Sequence, residues 1–217
     1  MPKGLIGTAL TGVAVLATLA GAAGCGSGGH PAATFVPQGS AAAAPSASGP
    51  PTPGLVHFPF PASVHIDFQT PVPADQQQRS VVLTDENFQL AYYWSLYSEG
   101  GDQHFARYIA SPTVLSAVQA SVAQNLAQHE RIRGTLRIYR TTVTPLVSGG
   151  QAVTFCGDNS RLASVSARTG AVVPDQTPAT HHWFSQTDSY ISRGRTWALA
   201  SISTTFYPIG PAQECQP

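Results

Sequence analysis

Residues 134–156 read GTLRIYRTTVTPLVSGGQAVTFC, and the fold class turns on them. Ahead of this stretch apolar residues recur every three or four positions, and within it the period becomes two. Residues 135–144 and 151–156 are therefore predicted strands, joined across the hairpin turn Ser148-Gly149-Gly150. Further on, Arg168-Thr169-Gly170 marks another turn, and residues 182–191 and 195–206 form a second hairpin around Arg193-Gly194. In the last strand Trp197 and Leu199 share a face, whereas Ile202, Thr204 and Phe206 fall out of phase with them. One extra residue near Ala200 or Ser201, a bulge, reconciles the two sets.

Upstream the pattern is helical. Thr84 followed by Asp85 and Glu86 predicts a helix start, a hydroxyl cap with two acids at the positive end of the dipole. That helix runs through FQLAYYWSLYSE to about Ser98, is aromatic on more than one face, and ends at Gly100-Gly101. Residues 102–110 predict a short second helix. Ser111-Pro112 then caps a third, whose Leu115, Val118, Val122 and Leu126 form one core-facing stripe and which Gly134 closes. Helices first and an antiparallel sheet afterwards give an α+β domain. Before them, Phe58, Phe60, Val64, Ile66 and Phe68 alternate as in a strand, but Pro59 and Pro61 bar a central one. The reading is an extended arm on the domain with a short edge strand at 64–68, and the rival reading is an exposed aromatic patch that binds a partner.

The amino terminus tells where such a domain works. Lys3 supplies a positive n-region, residues 5–19 an apolar run, and Ala22-Ala23-Gly24 small side chains before Cys25. This layout resembles a bacterial lipobox, with Ala22 where Leu or Val is commoner; the resemblance implies that Cys25 receives a diacylglycerol and becomes the mature amino terminus. Two readings compete with it: an uncleaved membrane helix over residues 4–24, disfavoured by its Gly, Ala and Thr content, and secretion without lipid. The segment after Cys25 is rich in Gly, Ala, Ser and Pro and nearly uncharged, so it cannot bury enough surface to offset the entropy of ordering. The expected organisation is a signal peptide over 1–24, a flexible, lipid-anchored tether over 25–62 and a globular domain over 63–217. The expected location is the outer face of the cytoplasmic membrane.

Composition narrows the partners. The 217 residues carry 11 acidic and 11 basic side chains, and charged residues make up 10% of the chain against about 25% in ordinary soluble domains. A zero net charge argues against a nucleic-acid binder. Three cysteines are too few for a cysteine-rich scaffold. With Cys25 given to lipid, Cys156 and Cys215 remain as an even pair, and a disulfide between them would pin the carboxy-terminal tail to the sheet. The competing reading is a reactive thiol, but neither cysteine has a histidine near it in sequence, and no CxxC spacing occurs.

The order of these pieces carries a resemblance: YYWSLYS in the aromatic helix, FCGDNSR at a predicted strand end, ARTG, then GRTWALASIS with a late cysteine. Over roughly residues 65–215 this resembles actinobacterial secreted lipoproteins of unknown function whose domain is similar to the NTF2-like, or SnoaL-like, α+β cone. The chain departs from that pattern at Gly157, where an acidic residue is expected, and at Asn159, where Gln is commoner. The resemblance implies a curved antiparallel sheet wrapped on helices, often around a pocket. Both enzymes and non-enzymes use that fold.

Catalytic motifs are lacking in the sequence: it has no GxSxG, no HExxH and no phosphate-binding glycine loop. His181-His182 is the best metal-like pair; if both lie in the strand, their side chains point to opposite faces and cannot share an ion, and no metal is expected. Asp158, His182 and Asp188, with Tyr92 and Tyr139, are the candidates for a pocket acid or base; Asp158 lies in GDNS, an ordinary turn composition. Arg131, Arg133, Arg137 and Arg140 read as a solvated face, or as a contact for anionic lipid heads or wall polymers. The expectation is a non-enzymatic envelope lipoprotein without a cofactor, whose domain binds a small apolar ligand, a wall component or an envelope protein. The alternative is an NTF2-like isomerase, cyclase or dehydratase acting on a small hydrophobic substrate. The interior separates them: a solvent-open cavity holding Asp158, Asp188 or His182 favours the enzyme, and a cone filled by Tyr92, Trp94 and Trp197 favours binding.

Overall fold

The computed structural model describes residues 54–174 and 178–216. The signal peptide, Cys25 and the tether through residue 53 lie outside the described residues. Within them the chain is α+β: a five-stranded sheet with its helices packed on one face. The strands are β1 (Val64–Gln69), β2 (Glu130–Pro145), β3 (Gln151–Ser166), β4 (Trp183–Arg193) and β5 (Thr196–Phe206), arranged spatially in chain order. β1 runs parallel to β2, and every other pairing is antiparallel.

The first helix, α1 (Gln76–Tyr97), starts well before the position expected from Thr84. Asp75 caps it, its carboxylate accepting the Gln78 N–H at 2.8 Å. Thr84 and Asp85 therefore stand inside the helix and are buried, the Thr84 hydroxyl donating to the Ser80 carbonyl at 2.9 Å. Residues 102–110 hold only a 3₁₀ turn, His104–Tyr108, in place of a second α-helix. The second α-helix, α2 (Pro112–Ala127), begins as expected, with Ser111 as cap and proline in its first turn. Of its apolar stripe Val118 and Val122 are buried, while Leu126 is 42% exposed at the frayed end.

Gly134 does not close that helix, which stops at Ala127. It lies inside β2 with φ +113°, where a Cβ would collide with the Arg161 carbonyl oxygen on β3. The expected bulge in the last strand is present: Ser189 pairs with Ser201 and Tyr190 with Leu199, leaving Ala200 as the extra residue. Two more bulges bend the β2–β3 pair. One falls on β2 between Tyr139 and Thr142, where Arg140 has φ +53°; the other falls on β3 between Asp158 and Arg161.

Residues 54–62, ahead of the domain start expected at 63, lie along α1. The Val56 N–H donates to the Asn87 side-chain oxygen at 2.7 Å, and Phe58 is buried and stacked on Trp94 with ring centroids 6.0 Å apart. β1 is an edge strand, as the prolines before it required. The main core gathers Val81, Phe88, Leu136, Ile138, Val153, Phe155, Trp197 and Leu199 between the helices and the inner face of the sheet.

Candidate functional site

Register divides the candidate residues between the two faces of the sheet. On β4, Phe184, Gln186, Asp188 and Tyr190 alternate toward α1, and Trp183, Ser185, Thr187 and Ser189 point the other way. Asp188 is fully buried, and across from it on α1 stands Asp85, 2% exposed. The two carboxyl groups interact, and hydrogen bonds in both directions across the seam tie the strand and helix that carry them. Around them, the Tyr190 hydroxyl donates to Asp85 Oδ1 at 2.8 Å, and Gln89 Nε2 donates to Asp188 Oδ2 at 3.1 Å. Gln186 Nε2 reaches both oxygens of Asp188, at 3.0 and 2.9 Å. Thr204 on β5 completes the network through its hydroxyl to Gln186 Oε1 at 3.4 Å.

The electrostatics follow from burial. Desolvation raises both acids: Asp85, from 3.8 to about 6, is held back by hydrogen bonds from Asp188, Tyr190 and Gln89. Asp188 goes well above 3.8, pushed by burial and then by the neighbouring Asp85 charge. Burial pushes the Tyr190 hydroxyl up as well, and the charges of Asp85 and Asp188 push it further. Desolvation also raises Tyr93 on α1, with smaller contributions from Tyr92 and Asp188. The arrangement can hold and share a proton.

Asp158 lies elsewhere. It is in β3, not in a turn, and its side chain points to the outer face, where Oδ2 accepts from Arg137 Nη2 at 3.1 Å. The Arg137 guanidinium in turn lies 4.8 Å from the Tyr139 ring centroid. The turn-like composition of GDNS is used by the bulge that follows, where Asp158 Oδ1 accepts the Ser160 N–H at 3.0 Å. Gly157 leaves room for the Phe184 ring, into which a Cβ at that position would run. Cys156 is in mid-strand, not at a strand end, and forms a disulfide with Cys215, Cα–Cα 5.2 Å. That bond fastens the 3₁₀ turn Gly210–Cys215 over Tyr139, whose hydroxyl donates to the Cys215 carbonyl.

His181 and His182 close the 3₁₀ turn Ala179–His182, so His182 does not begin β4 as expected, and the pair is not in a strand. His181 stacks on Phe206 at 5.0 Å, and His182 packs edge-on against Trp183 at 6.4 Å. Among the described residues, no three His, Cys, Asp or Glu side chains gather as a metal site. Tyr92 ties α1 to α2, its hydroxyl 3.0 Å from that of Ser121, and Trp94 donates to Asp102 at 3.0 Å. Trp197 is buried in the core. The arginine run is not a freely solvated face. Arg131 pairs with Glu99 and lies over Tyr97, Arg137 pairs with Asp158, Arg140 donates to the Glu214 carbonyl, and Arg133 is exposed.

The structure thus separates Asp158, His182 and Asp188. A surface cleft of about 590 Å³ is lined by Glu99, Gln128, His129, Ser166, Ala167 and Arg168. A smaller one, about 310 Å³, is lined by Thr70, Gln78, Val82 and Val143 among others. Neither includes Asp85 or Asp188. Sequence reasoning singled out Asp188 but missed Asp85, Gln89, Gln186 and Tyr190. The alternation of polar Gln186 and Asp188 with Phe184 and Tyr190 on one face of the strand was the available signal. No protein-family model matches the chain, and no curated protein matches it.

Proposed function

We propose that this is an exported, lipid-anchored protein of the cell envelope, with a domain of the NTF2-like cone type that binds and does not catalyse. The observation that carries the reading is the arithmetic of its three cysteines. Cys156 and Cys215 are joined to each other, which suits an oxidising compartment. The one left over, Cys25, follows an apolar run and Ala22-Ala23-Gly24, the layout of a lipobox. On this reading, acyl chains at Cys25 hold the protein on the outer face of the cytoplasmic membrane, each buried methylene contributing about 0.8 kcal/mol. The uncharged tether then displays the domain.

Helices on one face of a bulged antiparallel sheet support the cone assignment and, with it, kinship to actinobacterial lipoproteins of this type. The scattered acids support a binding role: Asp158 is paired on the outer face and Asp188 is buried with its hydrogen bonds satisfied. The ligand of such a domain is a small apolar molecule, a wall component or another envelope protein. The enzyme alternative has one favourable observation, the carboxyl pair on the inner face, and neither of the two clefts reaches that pair.

Cys25→Ala decides the first half of the reading. The variant, expressed with its leader, is expected to leave the membrane fraction and to lose incorporation of a labelled fatty acid. Unchanged membrane retention with the label still incorporated would overturn the assignment of Cys25.

A further inference from the structure

The buried acids of α1 and β4 have an arrangement that a folded domain does not need for packing alone. Replacing Asp85 and Asp188 by apolar residues would fill the same space without removing two carboxyl groups from water. The groups set against them are acids, amides and phenols. On α1 these are Glu86, which feels the Asp85 charge, together with Gln89 and Tyr93; on β4 they are Gln186 and Tyr190. From the flanking strands the residues opposite Asp188 are Val153 on β3 and Ile202 on β5, which carry no charge.

Two buried carboxylates that interact in such a setting cannot both be ionised without cost, because like charges in a poorly polarisable interior repel and have lost their water. One proton between them removes the repulsion and makes a strong hydrogen bond. The donors are divided between the two acids, Tyr190 to Asp85 and Gln89 and Gln186 to Asp188, so the proton belongs to the pair and not to one member of it.

We infer that Asp85 and Asp188 form a proton-operated clasp, which holds α1 on the sheet while the pair keeps its shared proton and loosens that seam when the proton is lost. This goes beyond the binding role proposed above and does not depend on the lipid anchor. Gln89 and Gln186 are positioning residues: they orient the carboxyl groups without carrying a charge. The sign is opposite to that of a salt bridge. Both acids are raised on folding, so the folded state holds protons that the unfolded chain gives up from about pH 4 upward. Stability is then greatest in mild acid and declines as the pH rises, first through about 6, where the pair gives up one of its two protons, and further once the remaining shared proton is lost.

The purified protein tests this in two independent ways. Infrared spectroscopy at neutral pH should show a carbonyl stretch of an un-ionised carboxylic acid, absent in Asp188→Asn. Thermal unfolding should give a Tm lower at about pH 8 than at about pH 5 by roughly 5 °C or more, and Asp188→Asn should remove most of that difference. An infrared spectrum of the wild-type protein without that band at neutral pH, or a Tm that rises from pH 5 to pH 8, would overturn the clasp. Both of these wild-type measurements decide the matter even if Asp188→Asn does not fold.

Discussion

Asp158 on β3 and Asp188 on β4 sit on adjacent strands but on opposite faces of one sheet, and the contrast between them is chemical as well as geometric. The outer-face acid has a guanidinium beside it, partial access to water, and a disulfide-bound 3₁₀ turn as its neighbour. The inner-face acid has no such partner; it faces another acid and is surrounded by phenol and amide donors. One charge is balanced by an opposite charge, and the other is avoided by keeping a proton. What a carboxyl group does is therefore set by the layer laid over it. On the outer face that layer is the disulfide-fastened turn Gly210–Cys215, and on the inner face it is α1.

The largest effect that sharpens this contrast should come from unfastening the outer layer. Cys156 and Cys215 are 59 residues apart, so the double change Cys156→Ala and Cys215→Ala should cost about 4 kcal/mol in the chain-entropy model. The urea midpoint should fall accordingly, while the infrared signature of the inner acid pair is unchanged. A loss of both together would show that the two faces are not independent.

Next in size is Gly157→Ala, which strikes the sheet between the two acids. Gly157 points inward against the ring of Phe184, which stands on the same face as Asp188. The added methyl must displace an aromatic side chain in a packed core, a cost of about 1–3 kcal/mol, read as a lower denaturation midpoint. If the midpoint is unchanged, the β3–β4 seam is looser than its packing implies and the inner network is less rigidly held.

These sites also show how far local chemistry could be read from sequence. The hairpins, the Ser111-Pro112 cap and the extra residue at Ala200 follow from alternation and from residue types within a few positions, and all of them appear in the fold. The disulfide followed from counting cysteines. The start of α1 was hidden because Gln76, Gln77 and Gln78 carry no apolar spacing, while Thr84 and Asp85 imitate a cap. Gly134 was taken as a helix stop because glycine often is one, whereas here a close approach between two strands requires it. GDNS looked like a turn because a bulge draws on the same residues. The inner site stayed dark for a different reason: Tyr190 and Asp85 are 105 residues apart, and no local pattern reports that one buried acid will meet another.

The smallest expected effect lies at the Asp158–Arg137 pair, and its size is what distinguishes the two faces most cleanly. The Arg137 side chain is 34% exposed and that of Asp158 14%, so water and salt screen the attraction. Arg137→Met removes the guanidinium from both Asp158 and the Tyr139 ring, which should cost about 0.2–1 kcal/mol. Most of that loss should be reproduced in the wild-type protein by raising the salt concentration. By contrast, the stability difference between the wild-type protein and Asp188→Asn on the inner face should change with pH and hardly with salt, because no bulk ions reach a residue with no exposed surface. If Arg137→Met instead destabilised the domain severely and independently of salt, the outer pair would be shielded as thoroughly as the inner one, and the contrast between a charge-balanced face and a proton-balanced face would fail.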